Sequence, residues 1–196
     1  MRLYNEGVRR FSLVALATAF LAVSALAGLA EYQSAKRKID AIGTTATPPG
    51  TRVILSTAEL NSYISGEIPH VAGPGAVTAF TLQLGEASGT VRARVDFLKV
   101  QQNTGRQPSW LLQKILEGQR DVQVNARLRS ANGYATAWVD RVEVAGLPLS
   151  GPALDFLMQV FIAPQFPNIK LGQPFPLRPG VDHFEVHPQA VHVYTK

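Results

Sequence analysis

An uncharged stretch of 20 residues, from Phe11 to Ala30, most constrains what this chain of 196 residues can form. A short basic segment with Arg2, Arg9 and Arg10 precedes it. As a helix the stretch would be about 30 Å long, which is the thickness of the hydrocarbon core of a bilayer. We therefore predict that residues 1–30 are a signal anchor or a signal peptide, and that the rest of the chain is exported.

Two fates of this leader stay open. A retained anchor would hold the chain in the inner membrane through residues 11–30, with its domain in the periplasm or another extracytoplasmic space. Cleavage after Ala25-Leu26-Ala27 or Gly28-Leu29-Ala30, where the residues are small, would instead release a periplasmic protein. The chain has no cysteine, so it has neither a lipid-anchor site nor a disulfide framework.

Residues 31–50 are predicted to form a linker between the leader and an exported domain at residues 51–196. Glu31 to Ile42 can extend the preceding helix, whereas Gly43 to Gly50 is rich in threonine, proline and glycine and should break it. About 145 residues then remain, which is enough for one domain with its own hydrophobic core.

Within the domain, a short helix followed by a pair of strands is predicted three times. Ser56 to Glu59 is a capping box, so a helix should begin there, after a short strand at Val53 to Leu55. Pro69 is expected to end this helix. The other two helices are predicted at Pro108 to Gly118 and from Pro152 onward.

The strands are predicted from alternating apolar and polar residues. They are expected at residues 77–84, 90–98, 121–129, 134–144, 181–186 and 190–194. Asn132-Gly133 is a strong hairpin signal, and a change of phase near Asp140 predicts a bulge. The predicted fold is α+β, with six or seven mostly antiparallel strands, three short helices on one face of the sheet and arginines on the other.

Two stretches resemble a group of small exported bacterial proteins. The first, Ser56 to Ile64, reads Ser-Thr-Ala-Glu-Leu-Asn-Ser-Tyr-Ile, and the second joins Pro174 to Leu177 with a hairpin at Gly180 to Val191. In the order of these elements the chain resembles the YceB-like lipoproteins, which are similar to the tubular lipid-binding (TULIP-like) superfamily. The resemblance implies a curved antiparallel sheet that cradles helices, with an apolar groove that holds a lipid chain.

The apolar helix faces supply candidate residues for such a groove. Aliphatic and aromatic walls with few polar groups suit an acyl chain, which burial holds by about 0.8 kcal/mol per CH₂. The alternative is an ordinary packed core, which would make the domain an envelope interaction or scaffold module without a ligand. The candidate groove residues are Leu60, Tyr63, Ile64, Trp110, Leu111, Ile115, Phe156, Leu157, Val160 and Phe161.

Nothing in the sequence indicates an enzyme. The chain has no phosphate-binding glycine loop, no Gly-x-Ser-x-Gly elbow and no His-Glu-x-x-His motif, so no catalytic residue and no cofactor is predicted. The net charge is +5, of which +3 lies after residue 30, too little to predict nucleic-acid binding. The expected partner is a lipid or another hydrophobic ligand.

Two polar clusters have open interpretations. His183, Glu185 and His187 should face one side of a strand, with His192 opposite Glu185 across a turn at Pro188-Gln189. Zinc ligands and a solvated hairpin face are both consistent with this pattern. The strand arginines are either solvated or in contact with phosphate head groups or an acidic partner; they are Arg92, Arg94, Arg127, Arg129 and Arg141.

Overall fold

The fold is that of a computed structural model, in which the described residues are 28–42, 47–104, 118–151, 154–155 and 169–196. For residues 101–104 only the backbone is described. The predicted leader lies outside this part of the chain, except for its last three residues. Among the described residues, no helix is both long enough and apolar enough to cross a membrane.

The described part of the chain holds three helices of eight residues or more and a helical pair at Leu154 and Asp155, where the third helix was predicted. The helix predicted at Pro108 to Gly118 lies outside the described residues, except for Gly118. Helix α1 includes residues 28–41, α2 is Thr57–Ala72 and α3 is Phe97–Thr104. The prediction that a strand continues to Leu98 is wrong, because α3 begins at Phe97. The physical reason lies at Asp96, whose Oδ1 accepts a hydrogen bond of 3.2 Å from the backbone N–H of Lys99 and so caps the new helix.

Helix α2 begins at the predicted capping box. The side chain of Ser56 accepts from the backbone N–H of Glu59, and the carboxylate of Glu59 accepts from the backbone N–H of Ser56. The prediction that Pro69 ends the helix is wrong, because α2 continues to Ala72. Pro69 lies near the C-terminal end, where its missing N–H removes one hydrogen bond without ending the helix.

Nine strands lie in the described residues, and they pair as two sheets. The smaller sheet has the order β1-β9-β8, and the larger has the order β2-β3-β4-β5-β6 with β7 paired to β5. The strands are β1 (Arg52–Ser56), β2 (Val77–Gly85), β3 (Ser88–Asp96), β4 (Gln119–Ala131), β5 (Tyr134–Val144), β6 (Leu147–Leu149), β7 (Phe175–Pro176), β8 (Val181–His187) and β9 (Ala190–Thr195).

The predicted α+β class with antiparallel pairing is confirmed, and the larger sheet has six strands. The prediction of a single sheet is wrong, because β1, β9 and β8 form a separate three-stranded sheet. In it β1 pairs with the last strand, β9, which places Arg52 opposite Tyr194. That pairing joins residues at the two ends of the domain, and no local pattern encodes it.

The two local turn signals are confirmed. Asn132 and Gly133 connect β4 to β5 with φ angles of 52° and 80°, the left-handed values that a two-residue hairpin turn requires. The bulge lies at Asp140, since Asn125 pairs with Arg141 while the next residue, Ala126, pairs with Val139. Asp140 is therefore the extra residue of β5.

Strands β4 and β8 hold the two sheets together. The Ser130 hydroxyl accepts from the backbone N–H of Phe184 at 2.7 Å and donates to the Phe184 carbonyl at 2.8 Å. The backbone N–H of Gly133 donates to the carbonyl of Asp182 at 2.6 Å. These bonds satisfy backbone groups on the edge strand β8, so the edge of the smaller sheet is fixed against the larger one.

Each sheet has its own apolar core. On the larger sheet the buried cluster is Phe97, Val142 and Val144. Helix α1 contributes to the other core, where its residues pack against the smaller sheet, so part of the segment predicted as a linker lies against the domain. The buried residues of that smaller-sheet core are Ala35, Ile42, Leu55, Val181 and Val193.

Candidate functional site

The predicted groove residues lie only partly in the described chain. Leu60 and Tyr63 pack against the smaller-sheet core, and Ile64 is half-buried on the same helix. The structure therefore places Leu60 and Tyr63 beside α1 and the smaller sheet. The remaining candidates lie outside the described residues; they are Trp110, Leu111, Ile115, Phe156, Leu157, Val160 and Phe161.

Glu59 lies in the opening motif of α2 and is buried, with only 5% of its surface exposed to solvent. It accepts hydrogen bonds from the Ser34 hydroxyl at 2.6 Å, the Lys38 Nζ at 2.6 Å and the Ser56 backbone N–H at 2.8 Å. Burial raises the pKa of Glu59, but the hydrogen bonds from Lys38, Ser34 and Ser56 together outweigh it and lower the pKa from its ordinary value. Glu59 thus fastens α1 to α2 as an ionised group.

Two other residues of the same motif also make structural contacts. The Asn61 amide pairs with the backbone of Leu82 on β2, accepting from its N–H at 2.6 Å and donating to its carbonyl at 2.9 Å. Tyr63 stacks on Tyr32 with ring centroids 5.8 Å apart, and the Tyr32 hydroxyl donates to Glu67 at 2.7 Å. The motif that carries the family resemblance therefore joins α1, α2 and β2.

An apolar row crosses the larger sheet from β2 to β6. Residues that are directly opposite on neighbouring antiparallel strands point to the same face, so an unbroken series of pairs gives a continuous strip. Val142 is buried and the other four members are half-buried. We call this strip the apolar row; its members, in strand order, are Leu82, Val91, Val124, Val142 and Leu149.

The middle of this face belongs to the larger-sheet core, against which Val124 and Leu149 pack. Phe97 at the start of α3 is buried in the larger-sheet core, and Leu154 is a half-buried residue that packs against the same core. Val144, which is fully buried, lies next to the row on β5. The row therefore offers a strip without charges, about 19 Å long for five strands at the usual spacing.

The opposite face of the larger sheet is polar, and four of its five strand arginines have hydrogen-bond partners on the same face; Arg129 is the fifth. Arg127 makes a forked contact with the carboxylate of Asp140 at 2.7 to 2.9 Å. Because these guanidinium groups are already hydrogen-bonded, they are less available to phosphate head groups. The pairs are Arg92 with Gln83 and Gln123, Arg94 with Asp121, Arg127 with Asp140, and Arg141 with Glu143.

The histidine hairpin has part of the predicted geometry. Glu185 lies directly opposite His192, as predicted, and the possible ligand atoms of Glu185, His187 and His192 all lie within 4.8 Å of one another. His183, the fourth polar residue of the predicted cluster, is not part of this group. Its ring stacks on Tyr194 at 4.4 Å, and its Nδ1 lies 2.7 Å from the carboxylate of Asp182.

Sequence reasoning missed the contacts of α1. Ser34 and Lys38 are four residues apart, which puts both on one side of a helix and lets both reach Glu59. The sequence shows the spacing of Ser34 and Lys38, but Glu59, the residue that both contact, lies on another helix. Only the three-dimensional pairing of α1 with α2 reveals it.

Comparison of the chain with known proteins finds no match among family models, curated proteins or solved structures. The likeness to the YceB-like and TULIP-like proteins is therefore a resemblance carried by residues 56–64 and 174–191. Any function assigned to the chain rests on the chemistry of its own residues.

Proposed function

We propose that this chain is a non-enzymatic domain of the bacterial cell envelope that binds a lipid or another hydrophobic ligand. It is exported behind residues 1–30 and either stays in the inner membrane through residues 11–30 or is released into the periplasm. The ligand lies along the apolar row, on a larger sheet that is curved in the manner of the TULIP-like proteins.

The apolar row is the observation that carries this proposal. Four of its five members are half-buried, so a ligand laid along them would remove further apolar surface from water. Burial supplies about 0.8 kcal/mol per CH₂, so the saturated chain of a lipid gains more from such a strip than a short or polar molecule does. The strip offers no charged partner, which favours an acyl chain over a charged ligand.

Native mass spectrometry of the full chain, extracted from membranes in a mild detergent, tests the proposal. We expect a co-purifying lipid mass on the folded protein. Val124→Asn, which puts an amide in the centre of the row, should reduce the lipid-bound fraction. Gln123→Asn, on the polar face of the same strand, is the matched control and should leave that fraction unchanged.

A second variant distinguishes loss of the ligand from misfolding of the protein. Val91→Phe keeps the row apolar but fills it, so it should reduce lipid binding. Because Val91 is half-buried, the larger ring can extend toward solvent, and the unfolding temperature should stay close to that of the wild type. A full chain that carries no lipid and binds no fluorescent fatty acid would contradict the proposal.

An envelope interaction or scaffold module is the second candidate. It is favoured by the packing of Leu60 and Tyr63 into the smaller-sheet core, where they close a core instead of lining a cavity. This function predicts a specific protein partner in cross-linking experiments and no bound ligand, so the same mass spectrum separates the two candidates.

A further inference from the structure

We propose that the β8–β9 hairpin carries a zinc site built from Glu185, His187 and His192. Glu185 and His192 are cross-strand neighbours, and His187 is two residues further along β8 on the same face. The hairpin belongs to the smaller sheet, whereas the apolar row lies on the larger one. The zinc site is therefore independent of the proposed lipid function.

The distances suit a tetrahedral ion. Zinc holds nitrogen and oxygen ligands at 2.0–2.2 Å, which places neighbouring ligand atoms about 3.4 Å apart. The His187 Nε2 and the Glu185 Oε2 are already 3.5 Å apart. The rings of His187 and His192 have centroids 4.6 Å apart and are tilted by 49°, so small side-chain rotations bring their nitrogens to one point.

Neighbouring groups orient two of the ligands. The Glu86 Oε2 lies 3.7 Å from the His187 Nδ1, whereas Glu185 lies near the other ring nitrogen, Nε2. Once zinc occupies Nε2, the Glu86 carboxylate would accept from the protonated Nδ1, which is the usual arrangement around histidine-bound zinc. The backbone N–H of Ala87 donates to the Val186 carbonyl at 3.0 Å, so the turn that carries Glu86 is fixed beside the hairpin.

Tyr194 supports the third ligand atom. Its hydroxyl donates to the Glu185 Oε2 at 3.0 Å, and its ring is stacked on that of His183. The tyrosine thus restrains the Glu185 carboxylate, whose oxygen lies within 4.8 Å of both imidazoles.

The donor set limits the bound metal to a first-row transition ion such as zinc, iron(II) or copper(II), and zinc is the ion that we propose. Two imidazoles with one carboxylate suit zinc, whereas magnesium and calcium prefer sites made of oxygen atoms. Three protein ligands leave the fourth position of a tetrahedron to an exchangeable group, and Glu185 is exposed, so water can reach it. The site therefore has the ligand number of an open zinc site, not that of a closed structural one.

Isothermal titration of the full chain in detergent with zinc chloride tests this proposal. We expect saturable binding of one zinc ion per chain and no comparable signal with magnesium chloride. His187→Ala and His192→Ala should each weaken zinc binding by about tenfold or more. His183→Ala is the matched control, because this residue lies on the same hairpin but outside the cluster, and it should leave the affinity nearly unchanged.

Circular dichroism of each variant shows that the hairpin still folds. Absence of saturable zinc binding by the wild type would overturn the proposal. It would also be overturned if His183→Ala weakened binding as much as His187→Ala does, because zinc would then be held by scattered surface histidines. Lipid content measured on the same variants should not change.

Discussion

At the scale of single residues, Glu59 shows how a short motif specifies tertiary structure. Its carboxylate completes the capping box of α2 and also binds Ser34 and Lys38 of α1. The Lys38 side chain is still 38% exposed, so its ammonium keeps contact with water while the carboxylate is buried. The contact therefore avoids the cost of burying both charges.

Glu59→Gln should lower the free energy of unfolding by about 2 kcal/mol, because three hydrogen bonds to a charged acceptor are weakened or lost. Urea unfolding of the full chain, followed by fluorescence, measures this loss. Asp40→Asn is the control, since it breaks the exposed Lys36–Asp40 pair of α1 and should cost no more than about 0.5 kcal/mol. Equal effects of the two changes would contradict this role of Glu59.

The same carboxylate should make stability depend on pH. The pKa of Glu59 is lowered in the fold, so its contribution is fully present above the pKa of an unfolded glutamate, about 4.3. The contribution is lost as pH falls through the lower pKa of the folded state. The stability gap between the wild type and Glu59→Gln should therefore narrow between pH 6 and pH 3. A gap that stays constant over this range would be inconsistent with the lowered pKa.

Ala145 is a second informative residue, because it has a φ angle of 52° in the two-residue turn between β5 and β6. An alanine pays a steric cost in this left-handed region, and asparagine pays less. Ala145→Asn should raise the free energy of unfolding by about 0.5–1 kcal/mol. Ala131→Asn, at an exposed strand position, is the control and should give no gain in thermal unfolding.

At the scale of elements, α1 is the segment whose position in the structure differs most from the role predicted from the sequence. Its composition fits a helix that continues from the leader, but Ala35 and Ile42 are buried in the smaller-sheet core. A chain that begins at residue 51 loses both residues and the contacts of Glu59 with α1. Removal of α1 also uncovers apolar side chains, among them Leu55 and Val193.

We expect a chain of residues 28–196 to unfold at a clearly higher temperature than one of residues 51–196, by several degrees. The free energy of unfolding of the shorter chain should be lower by about 2 kcal/mol or more, because removal of α1 exposes the apolar core surface that it covers to water. Differential scanning calorimetry of the two chains compares them directly. Equal transition temperatures would mean that α1 does not stabilise the domain.

Local features of the fold were predictable from the sequence, and distant pairings were not. Asn132-Gly133 and Asp140 act within a few residues, so the turn and the bulge could be located from chemistry and phase alone. The pairing of β1 with β9 joins Ile54 to His192 across the domain, and nothing nearby in the chain encodes it. The alternation of apolar and polar residues continues through Phe97 in the sequence, but the strand ends one residue earlier, at Asp96, which caps α3.

The candidate sites divide in the same way. The predicted turn at Pro188-Gln189 was enough to place Glu185 opposite His192. The sequence did not show that His183 stacks on Tyr194 and stays outside the cluster. The apolar row was hidden in the sequence, since its members lie on five different strands and align only through the register of the sheet.

At the scale of the whole molecule, the two faces of the larger sheet have opposite character. One face holds paired arginines, amides and carboxylates in contact with water, and the other holds the apolar row. With residues 11–30 in the membrane, as proposed, α1 would follow the membrane segment directly and lie against the smaller sheet. The domain would then stay close to a bilayer, which is the source of lipid that the proposed function requires.

Photo-crosslinking with a fatty acid that carries a diazirine tests lipid binding on the apolar row most directly. After irradiation of the full chain, peptide mass spectrometry locates the adducts. We predict adducts on peptides within residues 77–149, reduced by Val91→Phe and unchanged by Gln123→Asn. Adducts confined to residues 1–30, or no adducts at all, would contradict binding of a lipid by this sheet.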